Sequence, residues 1–279
     1  MREFWQRFSR NRGALAGLVV LAAIAFAALA ASWLFPGDPW QMKAKPMLAP
    51  DASFPMGTDM LGRDVAAGVF HGARVTLTIG LASTIWATVI GVLLGAVSGY
   101  AGGRVDEAIM RFTEFVQTIP SFILAILLVA ILQPGISSTI LAIAVVTWPP
   151  VARLARSEFL ALRQREFVAA ALTIGLPAWR VILIEILPNA ASSIIVMASL
   201  MVATAILTES ALSFLGLGDP NLISWGYMIG AARAVIRQAW WLSVFPGAAI
   251  FLTVLAINLV GEGLNDALNP HLRRQGRPR

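Results

Sequence analysis

From Ala14 to Leu34 the chain runs 21 positions without a charged residue. At about 1.5 Å per residue, a helix of that length spans about 30 Å, the thickness of a bilayer's hydrocarbon core. Five further apolar runs follow, at about 75–100, 116–133, 136–152, 190–212 and 243–261. A bilayer core offers no partner to an open backbone, so such runs must be helices. Composition agrees, since 58% of the 279 residues are hydrophobic and 13% charged, where soluble domains carry about 25% charged residues. The expected fold class is all-α, a polytopic membrane protein with six transmembrane helices.

The first run has a competing reading as a cleaved signal peptide, because ALAAS at 28–32 resembles a processing site. The run exceeds the ~7–15 apolar residues usual in such a segment, so an uncleaved first helix is expected. Residues 36–74 are polar and rich in Pro and Gly, with no clear long helix. The expected organisation is residues 1–74 (tail, first helix, external loop) and 75–279 (a five-helix core). Within the core, 153–189 is a polar loop.

An even number of spans places both ends on one side. With the N-terminus inside, the 21 basic residues divide fifteen inside to six outside. The positive-inside rule then places both termini and the 153–189 loop in the cytoplasm, and the loops 36–74 and 213–242 outside. The net charge of +6 is explained by these topological arginines, with lipid and not nucleic acid as the surrounding partner.

Catalytic chemistry has little to draw on. No cysteine is present, which removes disulfides, thiolate metal sites and cysteine nucleophiles. The two histidines, His71 and His271, fall on opposite sides of the expected membrane, and no HExxH occurs. Neither lysine follows a glycine, so there is no phosphate-binding loop of the GxxxxGK type. Ser98 in AVSG (96–99) only approaches a membrane serine-protease pattern, and helix packing explains it better. No catalytic residue, metal or cofactor is expected. If ATP and Mg²⁺ drive this protein, partner subunits bind them.

Two features lie at membrane depth. Gly91, Gly95 and Gly99 share one helix face, which allows close helix approach, either within a transport core or as generic packing. Glu209 stands near the outer end of the fifth run. A charge deep in a bilayer costs about 2.5 kcal/mol or more, so it should face protein or water. It is a candidate pathway or gate residue, with snorkelling or an interhelical hydrogen bond as the alternative.

The stretch EFVAAALTIGLPAWRVILIEILPN (166–189) interrupts the apolar pattern. Over Arg165–Ile174 the spacing predicts a short helix with Phe167, Ala170, Ala171 and Ile174 on one apolar face. Glu166, Ala169 and Thr173 make a small, polar second face. Gly175 is a helix stop, Pro177 prevents continuation, and Pro188–Asn189 closes the segment. Small side chains permit close approach, so this is either a docking element or a helix resting on the bilayer.

The same stretch resembles the EAA loop of ABC importer permeases, with pattern E-A-A-x3-G-x9-I-x-L-P. Ala170–Ala171, Gly175 and Leu187–Pro188 match its spacing. The motif's Glu is here Ala169 and its Ile is Glu185, while Glu166 lies three residues earlier. Four other segments resemble the dipeptide/oligopeptide/nickel branch of that family: 54–80, 99–111, 209–229 and 245–270, the last with Asn265 and Asn269 where charged residues are commoner. The arginine-rich entry to the first helix is similar to the C-type member of the paired permeases.

The resemblance implies a subunit of an ATP-driven inner-membrane importer of peptides, nickel chelates, glutathione or a related solute. It implies a second homologous permease, one or two cytoplasmic ATP-binding subunits and an extracytoplasmic solute-binding protein. Glu166, Ala169, Ala170, Ala171, Gly175 and Pro177 would dock the ATP-binding subunit. An ATP-independent channel or secondary transporter is the alternative, and an intramembrane enzyme is disfavoured by the missing His and Cys.

Overall fold

The computed structural model describes residues 2–268, so Asn269, His271 and the C-terminal arginines 273–279 lie outside the described residues. Among the described residues every regular element is a helix, with only two isolated β-bridges. A short helix α1 (Arg2–Phe8) leads into α2 (Arg12–Leu34). After an irregular segment, α3 (Val65–Ala101), α4 (Gly103–Thr118), α5 (Ser121–Leu132) and α6 (Ile136–Arg163) follow. Then come α7 (Glu166–Thr173), α8 (Ala178–Arg180), a π-helical turn (Val181–Ile186) and α9 (Leu187–Phe214). Two more helices, α10 (Trp225–Ala232) and α11 (Trp241–Leu268), complete the bundle.

Five helices are long and apolar enough to cross a membrane: α2, α3, α6, the continuous Ala178–Phe214 helix and α11. The sixth expected span is not straight. Its residues divide between α4 and α5, which meet at an 84° bend. Pro120 sits at the break, and the residue before it, Ile119, is extended as proline demands of its predecessor. The 12 residues of α5 reach only about 18 Å, short of the bilayer core.

Three other boundaries differ from the sequence reading, each for a local reason. α3 begins ten residues before position 75, because Asp64 caps it by accepting a hydrogen bond from the Ala66 N–H (2.9 Å). It therefore runs unbroken through the expected division at 74/75. Arg74, read as a loop charge, lies inside this helix and donates to the carbonyls of Ala28 and Leu29 and to Ser32 of α2. α6 continues past 152 to Arg163, carrying Pro149 and Pro150 within it.

Pro188 does not close its segment. The wider π-helical turn just before it accommodates the proline ring and its missing donor. Asn189 Nδ2 then donates to the Glu185 carbonyl (2.7 Å). The expected 190–212 span is thus the inner part of one 37-residue helix.

α3 and α6 pack along most of their length, and the glycines show why. A Cβ on Gly91 would lie 2.5 Å from Val151 Cβ, and one on Gly99 would lie 2.7 Å from the Arg156 carbonyl oxygen. A Cβ on Gly95 would strike the Ala152 carbonyl. The glycine stripe is therefore the contact surface for α6. α9 fills the centre, where Ile206 and Leu212 are wholly buried against α3, α5, α6 and α11 neighbours. α1 folds under the bundle. Phe8 and Ala14 pack on Ala267, and Asn11 Nδ2 donates to Asp266 (3.1 Å). The first and last described helices thus meet at one face of the bundle.

Candidate functional site

α7 stands at the face that carries α1, between the ends of α6 and α8. Its helix, expected over 165–174, forms over Glu166–Thr173, with Arg165 as an extended N-cap residue. Glu166 occupies the first turn, where a carboxylate favours the positive end of the helix dipole. Among the described residues it makes no ion pair.

The buried stripe differs from the expected one. Val168 and Ala171 face the bundle, packing with Phe159 of α6 and with Val181 and Ile186 of the π turn. Of the four residues expected on the apolar face, Phe167, Ala170 and Ile174 are exposed, Ile174 at 77%. The buried stripe keeps Ala171 and adds Val168, whose side chain packs with Phe159, Val181 and Ile186. The face formed by Glu166, Ala169 and Thr173 does point outward, as its composition suggested. Ala169 and Ala170 give it low relief between the Phe167 and Ile174 side chains.

Gly175 terminates the helix in the left-handed conformation (φ +81°). Its N–H donates to Leu172 O (3.0 Å) and the Leu176 N–H to Ala171 O (3.1 Å). This pair of bonds is the Schellman closure, which satisfies the last carbonyls of the helix. Pro177 then starts the next helix, its carbonyl accepting from Arg180 (2.9 Å) and Val181 (3.2 Å). Of the six sequence-selected residues, 166 and 169–171 lie on α7, 175 closes it and 177 caps the start of α8.

Glu209 is elsewhere, at the opposite face and wholly buried. Ser213 Oγ donates to its Oε1 (2.7 Å) and Ser210 Oγ to its Oε2 (3.3 Å). The side chains of Ser224 and Thr76 lie close beside it. Their hydroxyls hold the start of α10. Ser224 Oγ accepts the Tyr227 N–H (3.2 Å) as the N-cap of α10, and Thr76 Oγ1 accepts the Trp225 N–H (3.3 Å). Trp225 Nε1 donates to Val69 O (2.8 Å). The carboxylate thus sits where α9, α3 and α10 meet, with Thr76 of α3 bonded to the first turn of α10 beside it.

A second polar knot escaped the sequence reading. Asp106 of α4 accepts from Arg156 Nε (2.5 Å) and Nη2 (2.6 Å) of α6, and from Ser98 Oγ (2.5 Å) of α3. Arg156 had been counted only as a topological arginine, and Ser98 only as a packing residue. Nothing local points Arg156 to a partner fifty positions away, and Ser98 meets Asp106 across the break between α3 and α4.

Five membrane-crossing helices and one bent pair around an almost charge-free interior, with one short closed helix standing out from the α1 face, define a polytopic membrane protein of the transport type. A family profile described as binding-protein-dependent transport system inner membrane component matches residues 91–274. A second, the N-terminal TM domain of oligopeptide transport permease C, matches residues 1–50. The chain belongs to this family of inner-membrane permeases and is a permease subunit of an ABC importer.

Its relatives include the di/tripeptide transport system permease protein DppC of Pseudomonas aeruginosa, 42% identical over 98% of this chain and 93% of that one. The dipeptide transport system permease protein DppC of Bacillus subtilis is 38% identical over 98% of this chain and 86% of its own length. The glutathione transport system permease protein GsiD of Pectobacterium atrosepticum is 40% identical over 98% and 91%. Among solved structures, the inward-facing MetNI methionine ABC transporter superposes with a TM-score of 0.61 at 17% identity, covering 72% of this chain and 96% of that one. That likeness is one of fold.

Proposed function

We propose that this permease moves short peptides or a closely related solute, and that α7 is the element through which an ATP-binding partner acts on it. The observation that carries the second statement is the geometry of α7. The helix is anchored by Val168 and Ala171, closed at Gly175, and turns Glu166, Ala169 and Ala170 outward. A rigid helix with small outward side chains suits insertion into a groove on another protein. The arginine distribution supports a cytoplasmic position for that face. The names of the relatives, di/tripeptide, dipeptide and glutathione permeases, support the solute class.

On this reading a second homologous permease completes the pathway. One or two ATP-binding subunits bind ATP and Mg²⁺, and a solute-binding protein delivers cargo to the opposite face. Glu209 contributes to the gate indirectly, by holding α10 against α9 and α3.

The chain's lack of cysteine makes the test direct. A single cysteine placed by Ala170→Cys is cross-linked in native membranes and the adduct identified by mass spectrometry. A nucleotide-binding protein in the adduct is the expected result. Adducts only with lipid or with the chain itself, in membranes that contain the candidate ATPases, would overturn the docking role and favour an ATP-independent channel.

A further inference from the structure

A cavity of about 370 Å³ opens at the elbow where α4 and α5 bend apart. Its walls come from that elbow (Gln117, Ser121), from the middle of α6 (Thr147, beside Pro150) and from the middle of α9 (Met197, Met201, Thr204). The cavity therefore sits at the central level of two membrane-crossing helices. No Asp, Glu, Lys or Arg lines it among the described residues.

Three observations describe its occupant. First, the backbone is broken here, and no side chain caps the start of α5. Irregular backbone at membrane depth is tolerated where it is buried in protein or lines water, not where it meets lipid. Second, the polar atoms are all neutral. Gln117 offers an amide that both donates and accepts, and Ser121 and Thr204 offer hydroxyls. Thr147 donates its own proton to Ile143 O (2.6 Å), which leaves its oxygen as an acceptor. Such a set matches the alternating N–H and C=O of a peptide backbone. Third, the thioethers of Met197 and Met201 form an apolar wall that repacks around side chains of different shape. The volume lies at the small end of the about 300–1,000 Å³ range of ligand pockets.

We propose that this cavity is a solute subsite on the translocation path. It holds a peptide of two or three residues by its backbone and is indifferent to the charge of its side chains. The proposal rests on the importer reading above.

The test uses the complete importer, reconstituted with its permease, ATPase and binding-protein partners. ATP-driven uptake of dialanine, diaspartate and dilysine is compared for the unaltered chain and for Thr204→Glu and Thr204→Lys. A charge placed in the cavity should shift the dilysine-to-diaspartate uptake ratio about tenfold, upward for Glu and downward for Lys, as Coulomb interaction in a confined space requires. A merely structural defect lowers all three peptides together.

A second arm uses Gln117→Cys. A charged, water-soluble thiosulfonate should label it, and dialanine-loaded binding protein with ATP should slow the labelling. Labelling only by a membrane-soluble maleimide would mean a lipid-filled crevice and overturn the proposal. Uptake ratios that stay constant across variants, in an importer whose unaltered form transports, would overturn the subsite alone. An unaltered complex that moves none of the three peptides would overturn the peptide-importer reading and the subsite with it.

Discussion

Arg156 grips Asp106 with two of its nitrogens, at 2.5 and 2.6 Å, and so joins α6 to α4 beneath the elbow that leads into α5. Ser98 of α3 donates to the same carboxylate, so three helices converge on one acidic side chain. The pair is partly shielded, with 34% of the Arg156 side chain and 17% of the Asp106 side chain exposed.

The first prediction concerns this pair. Asp106→Ala leaves the guanidinium and the Ser98 hydroxyl without their acceptor. Solvent reaches the arginine, so we expect a loss of about 1–2 kcal/mol, below that of a fully buried pair. A double-mutant cycle with Arg156→Ala, read by thermal unfolding in detergent, should give a coupling energy of about 1 kcal/mol. Additive effects would show that the two residues do not support one another.

A second prediction contrasts two glycines. Gly95→Ala drives a methyl into the Ala152 carbonyl and the Ala155 side chain of α6, and neither can move without shifting the backbone. Separation of α3 and α6 should cost about 3 kcal/mol and reduce the amount of chain held in the membrane. Gly247→Ala, in α11, meets open space and should be neutral or stabilising by up to about 1 kcal/mol. Equal melting temperatures for the two variants would contradict the packing account.

The helix stop at Gly175 leads to a third. A Cβ there meets nothing within 4 Å, so only the left-handed backbone is at stake. Gly175→Asn, which tolerates this conformation better than most residues, should cost well under the about 1–2 kcal/mol of Gly175→Ala. Gly175→Asp should insert and fold yet lose ATP-driven uptake, because its charge falls on the docking surface. Wild-type uptake by the Asp variant would count against that surface.

The fourth addresses the buried carboxylate. Glu209→Ala orphans the hydroxyls of Ser210 and Ser213 and leaves a void beside Ser224 and Thr76, at a cost of about 2–4 kcal/mol. Because the Ser224 and Thr76 hydroxyls beside that void hold the start of α10, hydrogen exchange of amides 225–232 should accelerate more than that of α6. Uniform acceleration across the bundle would mean that Glu209 does not act through α10.

How much of this was legible in the sequence depends on whether the cause was local. The Ala14–Leu34 run and the Gly175–Pro177 stop act through neighbours within a turn or two and took their expected form, and the glycine stripe, legible from its spacing, met its partner in α6. The bend at Pro120, the start of α3 at Asp64 and the passage of α8–α9 through Pro188 were misjudged. There a proline or a cap was weighed without the compensating backbone: an extended Ile119, an N-cap bond, a π turn. The buried stripe of α7 runs through Val168 and Ala171 because its packing surface is supplied by other elements, Phe159 of α6 and Val181 and Ile186 of the π turn. The Asp106–Arg156 knot and the elbow cavity depend wholly on tertiary placement, and no short window of residues contains them.

Leu176, the last residue of the Schellman closure of α7, directly precedes Pro177, where the next helix begins. Its side chain is wedged into the cluster beneath α7, so the joint has little slack. The helix that starts there carries Glu209 some 31 residues from its origin at Ala178, an arm of about 46 Å at ordinary helical rise. Tilting such an arm by about 5° swings its far end by about 4 Å, more than the length of a hydrogen bond. If α7 docks a partner as proposed, a modest nudge there would be levered into a displacement large enough to break or remake the hydrogen bonds of Ser210 and Ser213 to Glu209 at the opposite face.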